Sequence, residues 1–251
     1  RIISSYQTIS FGKIVLKSIT TDLKLLEKVS YASEKIDFMS NIELKEISFR
    51  HSKRSKPIFN QMNLNIKSGE IVGIFGESGV GKSTLVDIIS GLIKPDKGDL
   101  FIDNKLINSS LLLRKWQNEI AYVTQNTVLF KGSLKNNIIF SGDNDNADMS
   151  QLNKVVIQSQ LENFVNDLPG GLETDVGELG NKVSGGQKQR IGIARALYKK
   201  PKVLIFDEAT NALDQKSEEL IINTIFNLRS DFTILLISHK KSLIEKCDKI
   251  F

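Results

Sequence analysis

The 251-residue sequence contains one cysteine, Cys247, so no disulfide can form within the chain and a reducing compartment is the expected setting. No apolar run approaches the roughly 18 residues that a membrane-spanning helix needs. No signal peptide, internal repeat or low-complexity stretch is visible either. No block of like charge stands out. The net charge of +5 comes from lysines spread along the chain. That pattern reads as a solvated surface, with an anionic partner, a membrane surface or nucleic acid, as the alternative; weighed with the motifs below, no nucleic acid is expected. The apolar fraction of 40% and charged fraction of 25% place the chain among ordinary globular proteins rather than disordered ones. The first residue is Arg1, not methionine, which leads us to expect a piece of a longer polypeptide.

Residues 1–40 differ from the rest. They have no proline and only Gly12, and apolar residues recur at helical spacing: Ile2, Tyr6, Ile9, then Leu16, Ile19, Leu23 and Leu26. One or two amphipathic helices are expected, either packed on the main domain or forming the cytosolic end of a membrane helix, with Lys13, Lys17, Lys24 and Lys28 near lipid. From about Asn41 the pattern becomes strands alternating with helices. "NIELKEISF" alternates with Ile42 and Leu44, then Ile47 and Phe49. "GKSTLVDIISGL" reads as a helix with Leu85, Ile88, Ile89 and Leu92 on one face. Residues 150–167 and 187–199 also read as helical. "KVLIFDEA" and "FTILLISH" are short continuous apolar runs, which suit parallel strands buried on both faces. Strands alternating with helices predict an α/β domain.

The chemistry sits in these strand ends. "GESGVGKST", Gly76 to Thr84, fits G-x-x-x-x-G-K-[ST] between an apolar strand and an amphipathic helix. Its glycines let backbone N–H groups turn toward phosphate oxygens, Lys82 adds positive charge, and Ser83 offers a hydroxyl to Mg²⁺. In "VLIFDE", Asp207 ends a buried strand and suits a Mg²⁺ site, while Glu208 suits a general base. The bland alternative is a pair of acids capping the next helix. His239 ends "LLISH" and would face the same crevice, or else be structural. Gln125, after "AYVT", offers an amide oxygen to metal or water. In "NKVSGGQKQR", Asn181 to Arg190, a serine and two glycines open a helix. That is a second anion-shaped feature in a chain that already has a phosphate loop.

Together these residues resemble the ATP-binding cassette (ABC) family over about Ile42 to Phe251. Gly76, Glu77, Ser78, Gly79, Val80, Gly81, Lys82, Ser83 and Thr84 resemble its Walker A loop. Asp207 and Glu208 resemble Walker B with the catalytic glutamate. Gln125 is similar to the Q-loop, Asn211–Asp214 to the D-loop, and His239 to the switch histidine. Ser184, Gly185, Gly186 and Gln187 fall in "VSGGQ", which resembles the family signature. "TDVGELG" and "LFKGSLKNNI" are similar to segments of exporters.

The resemblance implies an α/β cassette: a phosphate-loop core with a parallel sheet, an antiparallel β subdomain, and a helical subdomain at about 126–200. Residues 1–40 would form a helical linker and 41–251 the nucleotide-binding domain. It implies ATP and Mg²⁺ as cofactors, with Ser83, Gln125 and Asp207 on the metal and Glu208, His239 and Gln125 catalytic. A second copy would bind head to tail across ATP, its Ser184, Gly185 and Gly186 meeting the γ-phosphate. A transmembrane domain of the same polypeptide is implied, with this domain at the cytoplasmic face of the inner membrane. The implied function is an ATPase driving an exporter or flippase, with a lipid-linked oligosaccharide, lipid or peptide as cargo.

A soluble ABC ATPase of DNA repair or translation is the alternative, disfavoured by the single cassette and the exporter-like segments. A nucleotide-regulated binding protein without turnover is disfavoured by Glu208. Four features depart from the family pattern. His51 stands 25 residues before Gly76, where an aromatic residue usually stacks on adenine; a histidine can stack there too, or His51 is plain loop. Val183 replaces leucine and Asn211 replaces serine, and the chain stops at "CDKIF".

Overall fold

The computed structural model describes residues 12–13, 16–17, 19–20, 36–52, 56–77, 79–140, 147–211 and 213–251. It separates into two units, Arg1–Ser33 and Glu34–Phe251. In the first, Gly12, Lys13, Leu16, Lys17, Ile19 and Thr20 are helical, and the Thr20 hydroxyl donates to the carbonyls of Leu16 (2.8 Å) and Lys17 (3.0 Å). The other positions of the expected amphipathic pattern, Ile2, Tyr6, Ile9, Leu23, Leu26, Lys24 and Lys28, lie outside the described residues. In the second unit, Phe38 is buried edge-on against Trp116, with ring centroids 5.6 Å apart. The Trp116 indole N–H donates to the Ile89 carbonyl at 2.7 Å.

Two sheets organise the second unit. The antiparallel one joins β1 (Asn41–Phe49), β2 (Phe59–Lys67), β4 (Lys97–Ile102) and β5 (Lys105–Leu106) in the order β2-β1-β4-β5. In β1 the buried residues are Ile42, Leu44, Ile47 and Phe49, so the two-residue period slips once. A bulge accounts for this. The register shifts after Leu44 against β2 and after Lys45 against β4, and Glu46 has φ 51. The extra residue returns Ile47 and Phe49 to the core face.

The parallel sheet contains β3 (Ile71–Ile74), β6 (Ile120–Val123), β7 (Val203–Asp207), β8 (Thr233–Ile237) and β9 (Lys249–Ile250), in the order β6-β7-β8-β3-β9. Its apolar runs serve two cores. Leu204, Phe206, Ile234 and Leu236 face a cluster built with the helices α3 (Leu134–Ile139), α4 (Met149–Gln158), α6 (Gly185–Tyr198) and α7 (Gln215–Asn227). Val203, Ile205, Leu235 and Ile237 face the other, with α1 (Lys82–Ile89), α2 (Ser110–Gln117) and the antiparallel sheet. Burying each such side chain contributes about 1.5–3 kcal/mol, so both faces exclude polar substitution.

Two helical expectations change. Leu92 is 63% exposed rather than on the buried face of α1, because the helix ends at Ile89 and Gly91 turns the chain with φ 66. The helix expected over 150–167 is two, α4 and α5 (Glu162–Asn166). They are parted where Gln160 takes φ 54 and its carbonyl accepts Arg190 Nη1 at 3.2 Å. A left-handed residue cannot continue the helix. A last short helix, α8 (Lys241–Ile244), precedes β9.

Candidate functional site

Ile74 and Asp207 both lie opposite Ile237 in the parallel register. The segments leaving β3, β7 and β8 therefore emerge side by side at the carboxyl ends of the strands, where open α/β sheets bind ligands. These three segments carry the glycine-rich loop, the acid pair and His239. His51, Ile58, Gly79, Gly81, Lys82, Ser83, Thr84, Asp207, Glu208 and His239 line one cavity of about 250 Å³.

The loop runs directly into α1. Gly81 caps that helix with φ 108 and no side-chain cap bond, and a Cβ there would stand 2.4 Å from Ile58 Cγ2. Both the backbone and the lack of room require glycine. No side chain closes the helix start, and Gly81, Lys82, Ser83 and Thr84 line the cavity, so the positive end of the helix dipole lies at its wall. Lys82 Nζ donates to the carbonyls of Gly76 (2.8 Å) and Glu77 (2.9 Å), which holds the ammonium across the loop. Val80 is exposed, Gly76, Glu77 and Val80 do not line the cavity, and Ser78 lies outside the described residues.

The acids and the histidine form a connected set. Glu208 Oε1 is 2.5 Å from His239 Nε2, and Glu208 Oε2 accepts from Asn211 Nδ2 at 2.7 Å. Asp207 Oδ2 accepts from the Tyr122 hydroxyl at 2.6 Å. Burial, then the hydrogen bond and charge of Asp207, push the Tyr122 phenol well above its ordinary value. Burial, then the charge of Asp207, raise the carboxyl of Asp87 on α1. Tyr122 was not legible as a site residue. The available signal was its place at an alternate position of β6, which pairs directly with the strand that carries Asp207.

His51 reaches the cavity, and its ring sits edge-on to Phe49 at 5.3 Å between centroids. Gln125 does not line the cavity and lies in an exposed bend beyond β6. Ser184 and Gln187 also lie outside it. They form a capping box at the start of α6, with Ser184 N–H to Gln187 Oε1 at 2.8 Å. The two signature glycines differ. A Cβ on Gly186 would meet Ser217 Oγ on α7 at 2.6 Å, whereas one on Gly185 would meet only Leu213 Cδ2 at 3.5 Å. Among the described residues, packing demands glycine at 186 but not at 185.

Whether a divalent cation fits can be judged from the donors. Ser83 and Asp207 supply hard oxygens on the cavity wall, suited to Mg²⁺. Among the described residues no three His, Cys, Asp or Glu side chains cluster as a self-sufficient metal cage. The two oxygens would leave the other positions of such a cation to phosphates and water.

The model of the ABC transporter family matches residues 59–211. The chain is 33% identical over 250 residues to ABC transporter B family member 29, chloroplastic, of Arabidopsis thaliana, covering 98% of this chain and 39% of that protein. It is 35% identical over 211 residues to the ATP-dependent lipid A-core flippase of Ralstonia nicotianae, covering 84% of this chain and 36% of that one. A solved structure of a bacterial Atm1-family ABC exporter with ATP bound superposes with a TM-score of 0.78 at 30% identity, covering 98% of this chain and 43% of that chain. The chain thus spans about two-fifths of the length of these relatives. Since the matched span takes in the loop around Lys82, the start of α6 and the strand ending at Asp207 without a break, the chain belongs to the ABC transporter family and is an ATP-binding ATPase domain of it.

Proposed function

We propose that this chain is the ATP-hydrolysing motor of an exporter-type membrane transporter and works as a head-to-tail pair of copies. The carrying observation is the meeting of Glu208, His239 and Lys82 on one cavity, with Glu208 2.5 Å from His239. In this reading the N–H groups at the start of α1 and the Lys82 ammonium hold the β- and γ-phosphates. Glu208 Oε1 takes a proton from water as the water oxygen attacks the γ-phosphorus. The bond to the bridging oxygen then breaks, leaving ADP and phosphate. His239 orients the γ-phosphate and that water. Mg²⁺ would be held by Ser83 and Asp207 and would supply neutralisation of phosphate charge. His51 takes the adenine side. Gln125 keeps its proposed part, an amide oxygen offered to Mg²⁺ or water, and would reach it from the exposed bend beyond β6, outside the cavity of this structure.

Ser184 and the N–H groups of Gly185 and Gly186 are assigned to the γ-phosphate of the other copy. Two observations support this. They stand outside the cavity of their own chain, and among the described residues no contact requires glycine at 185. The proposed setting is the cytoplasmic face of a membrane, with the spanning helices in the rest of the polypeptide. Among the described residues no helix is long and apolar enough to cross a membrane. For cargo we propose a lipid-linked saccharide, lipid or peptide, and the similarity to a lipid A-core flippase supports the lipid side.

The test is Glu208→Gln. It keeps size and removes the base, so ATP hydrolysis should fall at least about 100-fold, with ATP binding retained and a stable ATP-bound pair accumulating. Turnover within about threefold of the parent would refute the assignment of Glu208.

A further inference from the structure

We propose that Asn211 is a positioning residue that holds the Glu208 carboxylate for proton abstraction. This rests on the reading of Glu208 as the base. Glu208 sits in a left-handed backbone conformation, φ 49, which a non-glycine residue keeps only when its surroundings impose it. Here its N–H donates to the Ile237 carbonyl at 3.0 Å and its own carbonyl accepts the Asn211 N–H at 3.0 Å. That turn brings the Asn211 side chain back over the residue it follows, and Nδ2 donates to Glu208 Oε2 at 2.7 Å. The amide nitrogen must be the atom facing the carboxylate, because the amide oxygen there would oppose a second acceptor.

The two carboxylate oxygens therefore have different partners. Oε1 faces His239 on the cavity side, and Oε2 is held by Asn211 from the turn that leads to α7. When His239 turns to phosphate, Oε1 becomes free for water, while Asn211 keeps the carboxylate plane in place. The residue type matters: a serine side chain is one atom shorter than asparagine and falls short of Oε2. The asparagine that departs from the family's usual serine thus adds a contact that serine lacks. Asn211 moves no proton itself.

The experiment measures ATPase kinetics in the full-length protein for Asn211→Ala, Asn211→Ser, Asn211→Asp and Glu208→Gln. Asn211→Ala and Asn211→Ser should each lower kcat about tenfold and leave KM for ATP within about twofold, as expected for lost orientation rather than lost binding. In Asn211→Asp the introduced carboxylate repels Glu208 at pH 8. Its loss relative to the parent should shrink toward pH 5.5, as the new carboxyl gains a proton and donates as the amide does. A normal kcat in Asn211→Ala overturns the proposal, as does a KM that rises in step with the fall in kcat. So does an Asn211→Asp profile parallel to the parent's, and because that substitution is isosteric it stands even if the alanine variant folds poorly. An active Glu208→Gln removes the underlying reading as well, whereas an inactive Glu208→Gln beside a normal Asn211→Ala removes only the role of Asn211.

Discussion

Gly185 and Gly186 sit next to each other and answer to different forces. At 186 the side chain of Ser217 occupies the space a methyl would need, so Gly186→Ala forces α6 and α7 apart. The expected cost is about 1–3 kcal/mol by chemical denaturation, largely recovered in the double variant with Ser217→Gly. At 185 there is room, so Gly185→Ala should change stability by less than about 0.5 kcal/mol and yet depress ATP hydrolysis if, as proposed, Gly185 meets the phosphate of the other copy. Equal stability losses in the two variants would contradict this division. Motif matching picks out both glycines, but only the packed structure separates the one that a neighbouring side chain requires from the one that no contact among the described residues requires.

At the scale of elements, the start of β1 is fastened by Asp103 in the turn between β4 and β5. Its Oδ1 accepts from the N–H groups of Ser40 and Asn41 and from the Ser40 hydroxyl, and its Oδ2 from Met39 N–H at 2.7 Å. Burial opposes the charge on this carboxyl. The hydrogen bonds from the Ser40 side chain and the backbone of Asn41, Met39 and Ser40 outweigh it and hold the group below its ordinary value. A carboxyl lowered in the folded state stabilises above its unfolded value of about 4 and loses that contribution as pH falls through the folded value. Asp103→Asn keeps one acceptor oxygen and loses the other. It should therefore cost about 1 kcal/mol at pH 7, modest because the site is solvent-screened. The difference from the parent should close below about pH 4. A gap of the same size at pH 3 and pH 7 would show that charge plays no part. The carboxylate clamp joins residues 62 to 64 apart in sequence, beyond the reach of any periodicity argument.

For the whole molecule, a head-to-tail pair predicts complementation. Lys82→Ala and Ser184→Arg should each abolish ATP hydrolysis when present in every copy. In a mixed pair, one site joins the intact Lys82 of the second copy to the intact Ser184 of the first. Co-expression should therefore restore activity, up to roughly a quarter of the parent if the copies assort equally. If each chain bound both ends of its own ATP, no mixture would recover.

The sequence alone determined the class of fold and the chemistry: continuous apolar runs for strands covered on both faces, and the loop, acid pair and histidine at their ends. These are local signals, since a strand's burial and a phosphate loop's glycines are written within a few residues. Only the tertiary structure decided how they combine. The common row of Ile74, Asp207 and Ile237 brings three distant segments to one cavity, while Gln125 is left in an exposed bend outside it. The same packing ties Tyr122 to Asp207 and Asn211 to Glu208, and these contacts depend on sheet register and on one left-handed residue. Register and a single reversed φ are set by the sum of packing across the chain, so residue type at one position does not announce them.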